Sequence, residues 1–261
     1  MTLSLAFLEP GSLAMPFCNM PTSLSTTNRY QVPPISAAGF TLAELAIVLL
    51  IVGLLLAGIL TPLSSQIETQ RYAQTQKTLD DIKEAIVGFA VLNGRLPRPA
   101  QSATNGDERV ATCVNDAECT GFIPWQALGV TKLDAWGKII RYSVTPAFAN
   151  ATFTLSTPAS KSVQTRDPNP PFGLIGLANA VPEVIYSSGK RSWGTNDSGN
   201  PLADESTTNV DEDTNNSATT TFISRIKIEN TTALGGEFDD IVIWLPSTVL
   251  MARMVAAGRL P

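Results

Sequence analysis

The chain contains no histidine and only three cysteines, and its charged residues make up 16% of the total. Histidine supplies most general bases and most transition-metal ligands at neutral pH, so its absence excludes Ser-His-Asp, Cys-His and zinc-hydrolase mechanisms. The excess of acidic over basic residues gives a formal net charge of −5. Such a chain has no basic surface for a polyanion, and nucleic acid is not expected as its main ligand.

The remaining candidate for catalysis is a turn that places Lys190 close to Ser187 and Ser188. Neighbouring positions in one turn do not establish the hydrogen bond that a Ser-Lys dyad requires, and no third activating group can be identified. We therefore predict no catalytic residue and no enzymatic activity.

An apolar run from Phe40 to Leu60 is interrupted only by Thr41 and Glu44. As a helix it would be about 30 Å long, the thickness of a hydrocarbon core, and this predicts a membrane-spanning helix. An acid at that depth costs about 2.5–3.5 kcal/mol unless a partner offsets it. Cleavage after Gly39 would supply that partner, because the new amine on Phe40 of one subunit could neutralise Glu44 of the next.

The sequence GFTLAELAIVLLIVGLLLAG, which begins at Gly39, resembles the class III signal of type IV pilins and type II secretion pseudopilins. The resemblance implies that prepilin peptidase cuts after Gly39 and N-methylates Phe40, and that Glu44 directs assembly. It also implies other pilin or pseudopilin subunits, an inner-membrane assembly platform and the lipid bilayer as partners. The alternative is an ordinary signal anchor that carries one glutamate.

Four segments follow from this interpretation. Residues 1–39 are a prepilin leader, residues 40–61 the transmembrane and assembly helix, and residues 62–94 an amphipathic continuation that ends at Asn93-Gly94. Residues 95–261 form a globular, β-rich head with a polar insertion at 195–220. The leader is long for this family and has Arg29 as its sole basic residue.

The head is predicted to contain short strands and a closing helix from Ser247 to Gly258. The predicted strands are 138–145, 151–157, 183–187, 221–229 and 238–245. An antiparallel sheet of these strands, packed on the amphipathic half of the long helix, gives an α+β, pilin-like fold.

Cysteine usage points to one disulfide. Cys18 lies in the predicted leader, which leaves Cys113 and Cys119 as a pair in a loop. In an oxidising periplasm this pair is expected to form a bridge that stabilises the fold by about 2 kcal/mol. The alternative is two free buried thiols.

Three segments of the head extend the resemblance. They are Asp134-Ala135-Trp136-Gly137 with Tyr142, Val184-Ile185-Tyr186-Ser187-Ser188-Gly189, and Phe238-Asp239-Asp240-Ile241 with Trp244. In the resembled major pseudopilins a calcium ion sits before the last strand, which implies Asp239 and Asp240 as candidate ligands. Calcium prefers six to eight oxygens, so further ligands would have to come from the preceding loop. That loop carries Lys190 and Arg191, which repel a cation, whereas the insertion is acidic. The insertion is poor in apolar residues, however, and the interpretation that we favour for it is a solvated, flexible loop.

Taken together, these features predict a structural subunit, minor rather than major, of a type IV pilus-like or type II secretion filament. It would be made in the bacterial inner membrane with its head in the periplasm. The alternative function is a membrane-anchored ligand-binding protein or adhesin that does not polymerise.

Overall fold

The computed structural model describes residues 39–261, and of these the side chains at 56–63 are not described. The predicted leader, with Cys18 and Arg29, therefore lies almost wholly outside the described residues. The helices are α1 (Leu42–Asn93), α2 (Trp125–Leu128), α3 (Pro146–Ala149), α4 (Val210–Ser217) and α5 (Ser247–Ala256). The strands are β1 (Thr120–Phe122), β2 (Arg141–Val144), β3 (Lys161–Arg166), β4 (Leu174–Val181), β5 (Glu183–Ser187), β6 (Thr221–Ile223) and β7 (Ile241–Leu245).

The main sheet has the order β1-β2-β5-β7 and is antiparallel throughout. Because successive side chains in a strand alternate between faces, Tyr142, Ile185 and Ile243 share one face. They lie in one buried cluster with residues of α1. The α1 members of this cluster are Leu79, Ile82, Ile86, Val87 and Ala90. Packing of the sheet on the amphipathic helix is thus confirmed, and so is the α+β class.

A second sheet has the order β4-β3-β6. It was not predicted, and its β3 and β6 strands run parallel to each other. Val163 and Phe222 of this sheet pack against Tyr186 and Val242 on the other face of the main sheet. The head therefore has a layer of apolar side chains on each face of the main sheet.

The prediction of a membrane-spanning helix over 40–61 is contradicted. Within the described residues, no helix is both long enough and apolar enough to cross a membrane.

Two sequence-based predictions in the head are also wrong. Residues 151–157 form a loop, in which the main-chain N–H of Thr154 donates to Thr157 Oγ1 at 2.8 Å, and this local bond competes with strand pairing. The insertion at 195–220 is not simply a solvated loop, because it contains α4, whose Asp211, Glu212 and Asn215 are buried. By contrast, the end of α1 at Asn93 is as predicted, with Gly94 in the left-handed region at a φ of 72°.

Candidate functional site

The start of α1 is closed by a reciprocal pair of hydrogen bonds. Thr41 Oγ1 accepts the main-chain N–H of Glu44 at 3.2 Å, and Glu44 Oε2 accepts the main-chain N–H of Thr41 at 2.9 Å. The hydroxyl of Thr41 also donates to Glu44 Oε2, at 2.9 Å. This is a capping box, which satisfies donors that the first turn of a helix leaves unpaired. Glu44 therefore has a hydrogen-bond partner within its own chain.

The peptide bond between Gly39 and Phe40 is accessible. The Phe40 side chain is 83% exposed, and no atom lies within 4 Å of the position that a Cβ at Gly39 would occupy. A peptidase can reach such a bond without unfolding the residues around it.

The apolar side chains that follow Glu44 are exposed rather than buried. Their exposed fractions range from 43% at Val52 to 68% at Leu54. They point in all directions around α1 and comprise Leu45, Ile47, Val48, Leu49, Leu50, Ile51, Val52, Leu54 and Leu55. Leaving a contiguous apolar surface of this kind in water is unfavourable.

Cys113 and Cys119 are joined by a disulfide, with their Cα atoms 5.2 Å apart, as expected from the sequence. The loop that it closes contains Asp116, whose Oδ1 accepts a hydrogen bond from the ammonium group of Lys161 at 2.6 Å. Because the Lys161 side chain is fully buried, the disulfide loop supplies the counter-charge that this lysine needs.

The three head motifs recognised in the sequence meet in space. Asp134 Oδ1 accepts the main-chain N–H groups of Trp136 and Lys138, each at 2.9 Å, and Oδ2 accepts the hydroxyl of Ser187 at 2.6 Å. Gly189 lies against Asp239, since a Cβ at Gly189 would come within 2.0 Å of Asp239 Oδ1. The backbone of the Ser-Ser-Gly turn can therefore approach the aspartate only because this position has no side chain.

Asp239 and Asp240 are joined by a third carboxylate, from the insertion. Glu212 on α4 accepts the main-chain N–H of Asp239 at 2.6 Å, and all three acids are buried, with ligand atoms within 4.8 Å of one another. Burial, which disfavours the charged form, raises the pKa of Glu212 to about 7 and raises that of Asp239. Burial raises the pKa of Asp240 well above its usual range, and the charge of Glu212 adds to this.

A buried lysine lies beside this carboxylate cluster (Glu212, Asp239 and Asp240). The ammonium group of Lys138 donates to the main-chain carbonyls of Ser188 at 3.1 Å, of Ser192 at 3.0 Å, and of Arg191. Burial lowers the pKa of Lys138, while Asp239 and the other nearby acids oppose that effect.

The donor groups do not fit the calcium site that the resemblance implied. Among the described residues, Glu212, Asp239 and Asp240 form the one group of acids that could hold a divalent cation. In this group, Asp239 Oδ1 is buried without a hydrogen-bond partner. Calcium needs six to eight oxygens, however, and the carbonyls of the adjoining loop already bind Lys138. Asp239 Oδ2 also accepts from the N–H of Arg191, and Asp240 Oδ2 accepts from Asn215. The three loop carbonyls that bind Lys138 are therefore not free to complete a calcium shell.

Sequence reasoning identified the two aspartates but not Glu212 or Lys138 as their neighbours. Glu212 was one of several acids in a segment without apolar periodicity. Lys138 directly follows the Asp-x-Trp-Gly segment, which was the one available signal. The ammonium group of the turn lysine Lys190 lies 3.5 Å from Glu68 Oε1.

The chain matches no protein-family model, no curated protein and no solved structure.

Proposed function

We propose that this chain is a pilin-like subunit that assembles with other copies or related subunits through the first part of α1. The observation that carries the proposal is the apolar surface from Leu45 to Leu55, which is exposed on every side of the helix. A helix that is apolar all round is stable only when other apolar groups surround it. A bundle of identical helices from neighbouring subunits supplies such surroundings.

The Gly39-Phe40 junction supports the same proposal. Its exposure allows a prepilin-type peptidase to cut before the helix begins. The cut places a cationic amine on Phe40, four residues before Glu44, which caps the helix together with Thr41. Glu44 Oε2 accepts a hydrogen bond from the main-chain N–H of Thr41. A carboxylate has further lone pairs, which can accept hydrogen bonds from other donors. The same glutamate can thus cap its own helix and accept the amine of a neighbouring subunit.

The first test is the mature N-terminus. Mass spectrometry of the chain recovered from its native cells is expected to show a protein that begins at Phe40 with a methylated amine. Recovery of a chain with an intact Gly39-Phe40 bond would refute the processing step.

The second test is the role of Glu44 in assembly. Glu44→Gln keeps the hydrogen-bonding shape of the cap but removes the charge, whereas Thr41→Ala weakens the cap and keeps the charge. If the charge sets the contact between subunits, Glu44→Gln reduces incorporation into sheared filaments more than Thr41→Ala does. Equal incorporation of Glu44→Gln and the unmodified chain would contradict the proposal.

A non-polymerised receptor or adhesin predicts a different outcome of the same experiment. Such a protein would be absent from sheared filaments whatever residue stands at position 44. Its presence in the filament fraction therefore discriminates between the two functions.

A further inference from the structure

We infer that the ammonium group of Lys138 takes the place of a bound divalent cation, holding the loop from Ser188 to Ser192 against the aspartates before β7. The head would then be folded without a metal ion. This inference concerns the head alone and does not depend on processing or on filament assembly.

The number of carbonyl partners shows which form of the lysine is present. Lys138 donates to three main-chain carbonyls, those of Ser188, Arg191 and Ser192. A neutral amine has two N–H groups, and an ammonium group has three. Only the protonated lysine therefore has one N–H group for each of the three carbonyls. Carbonyl oxygens are also ligands of hard metal ions such as calcium.

The charges around Lys138 are those of a cation site. The acids that interact electrostatically with its ammonium group are Asp239, Asp134, Asp240 and Glu212, with Asp239 the strongest. These acids come from three separate parts of the chain: the segment after α2, helix α4 and the entry to β7. The positive charge of Lys138 thus lies among acids from all three parts of the head and favours their charged forms.

The stem of Lys138 is closely covered, so the ammonium group is held in place. The Lys138 side chain is buried, and a Cβ at Gly194 would lie 2.8 Å from Lys138 Cδ. Gly194 has a φ of 95°, a conformation that other residues rarely adopt. The backbone at Gly194, just after the loop, therefore packs against Lys138 with no room for a side chain at position 194.

The loop also contacts the acids directly. The main-chain N–H of Arg191 donates to Asp239 Oδ2 at 3.1 Å. One short loop thus presents carbonyls to Lys138 and an N–H group to Asp239. Removing the ammonium group leaves the carbonyls of Ser188, Arg191 and Ser192 without this donor, and it removes a positive charge that interacts with Asp239.

The test compares thermal unfolding of the full chain with and without calcium, in detergent to mask the apolar part of α1. The unmodified chain is expected to unfold at the same temperature in EDTA and in millimolar CaCl2. Lys138→Ser, which removes the cation and its stem, is expected to unfold at least about 5 °C lower in EDTA, since several buried hydrogen bonds to a charged group are lost. Added CaCl2 is expected to restore part of that loss in Lys138→Ser alone.

The matched control is Lys77→Ser, which removes a lysine whose side chain is 76% exposed on α1. It is expected to change the unfolding temperature little and to show no response to calcium. If Lys138→Ser does not fold in EDTA, recovery of folded protein by refolding in CaCl2 supports the inference.

Three results would overturn it. The first is a calcium-dependent rise in the unfolding temperature of the unmodified chain, because a metal site would then exist beside the lysine. The second is a Lys138→Ser variant that unfolds at the same temperature as Lys77→Ser. The third is a destabilised Lys138→Ser variant that calcium does not restore.

Discussion

The hydroxyl group of Ser187 donates a hydrogen bond to Asp134 Oδ2 across 2.6 Å, and both side chains are buried. Ser187 ends β5, whereas Asp134 belongs to a turn 53 residues earlier in the chain. The same hydroxyl accepts the main-chain N–H of Gly189 at 3.1 Å. One serine therefore connects two of the three motifs that surround Lys138.

Ser187→Ala is expected to lower the free energy of unfolding by about 1–3 kcal/mol, because it leaves a buried carboxylate oxygen without its donor. Urea denaturation followed by circular dichroism measures the change. Ser198→Ala, at an exposed position, serves as the control. A Ser187→Ala variant as stable as this control would show that the bond contributes nothing.

Removal of the disulfide by the double substitution Cys113→Ser and Cys119→Ser is expected to cost about 2 kcal/mol, since the bridge closes a short loop. The loss should also loosen the contact of Asp116 with the buried Lys161. Thermal unfolding with and without reductant measures the effect, and Cys18→Ser is the control. If reductant lowers the unfolding temperature of the double variant as much as that of the unmodified chain, the bridge is not the cause.

Local sequence patterns predicted several helices and strands of the fold, but they did not predict the contacts between residues that are distant in the sequence. The run of β-branched and aromatic residues at 183–187 predicted β5 with its correct ends, and Asn93-Gly94 predicted the end of α1. Both signals depend only on residues that are neighbours in the sequence. Glu212 accepts a hydrogen bond from the main-chain N–H of Asp239, 27 residues later in the chain, because α4 packs beside it. Helix α4 has too few apolar residues to be predicted from a helical pattern. The site was therefore predicted in part, through Asp239 and Asp240 alone.

Glu183 was correctly predicted to begin a strand, but its burial was not predicted. It is fully buried, and neither of its carboxylate oxygens has a hydrogen-bond partner among the described residues. Burial raises the pKa of Glu183 from 4.5 to about 8. Between these two pH values the folded chain holds a proton that the unfolded chain has released, so the free energy of unfolding falls as the pH rises through this range.

Glu183→Gln is therefore expected to remove the part of this pH dependence that Glu183 contributes and to stabilise the head at pH 8 by an amount on the order of a few kcal/mol. Chemical denaturation at pH 5, 6.5 and 8 measures it, with Glu205→Gln at an exposed position as the control. Glu212, whose pKa is also raised, contributes a slope of the same sign and remains in both variants. Parallel pH profiles for Glu183→Gln and the unmodified chain would rule out Glu183 as the source.

Asp211 anchors the insertion to the second sheet. Its carboxylate is fully buried, accepts from Arg166 Nη2 at 2.6 Å and from Arg166 Nε at 3.1 Å, and also binds Arg225. Asp211→Asn removes the charge that both guanidinium groups face, and breaking a buried ion pair from one side costs about 3–5 kcal/mol. Urea denaturation should show a loss of this size, whereas Asp197→Asn, which removes an acid that is 68% exposed beside Lys132, should have a small effect. Since α4 also carries Glu212, hydrogen exchange of the amide of Asp239 should accelerate in Asp211→Asn. Unchanged exchange at that amide would mean that α4 holds its position without Asp211.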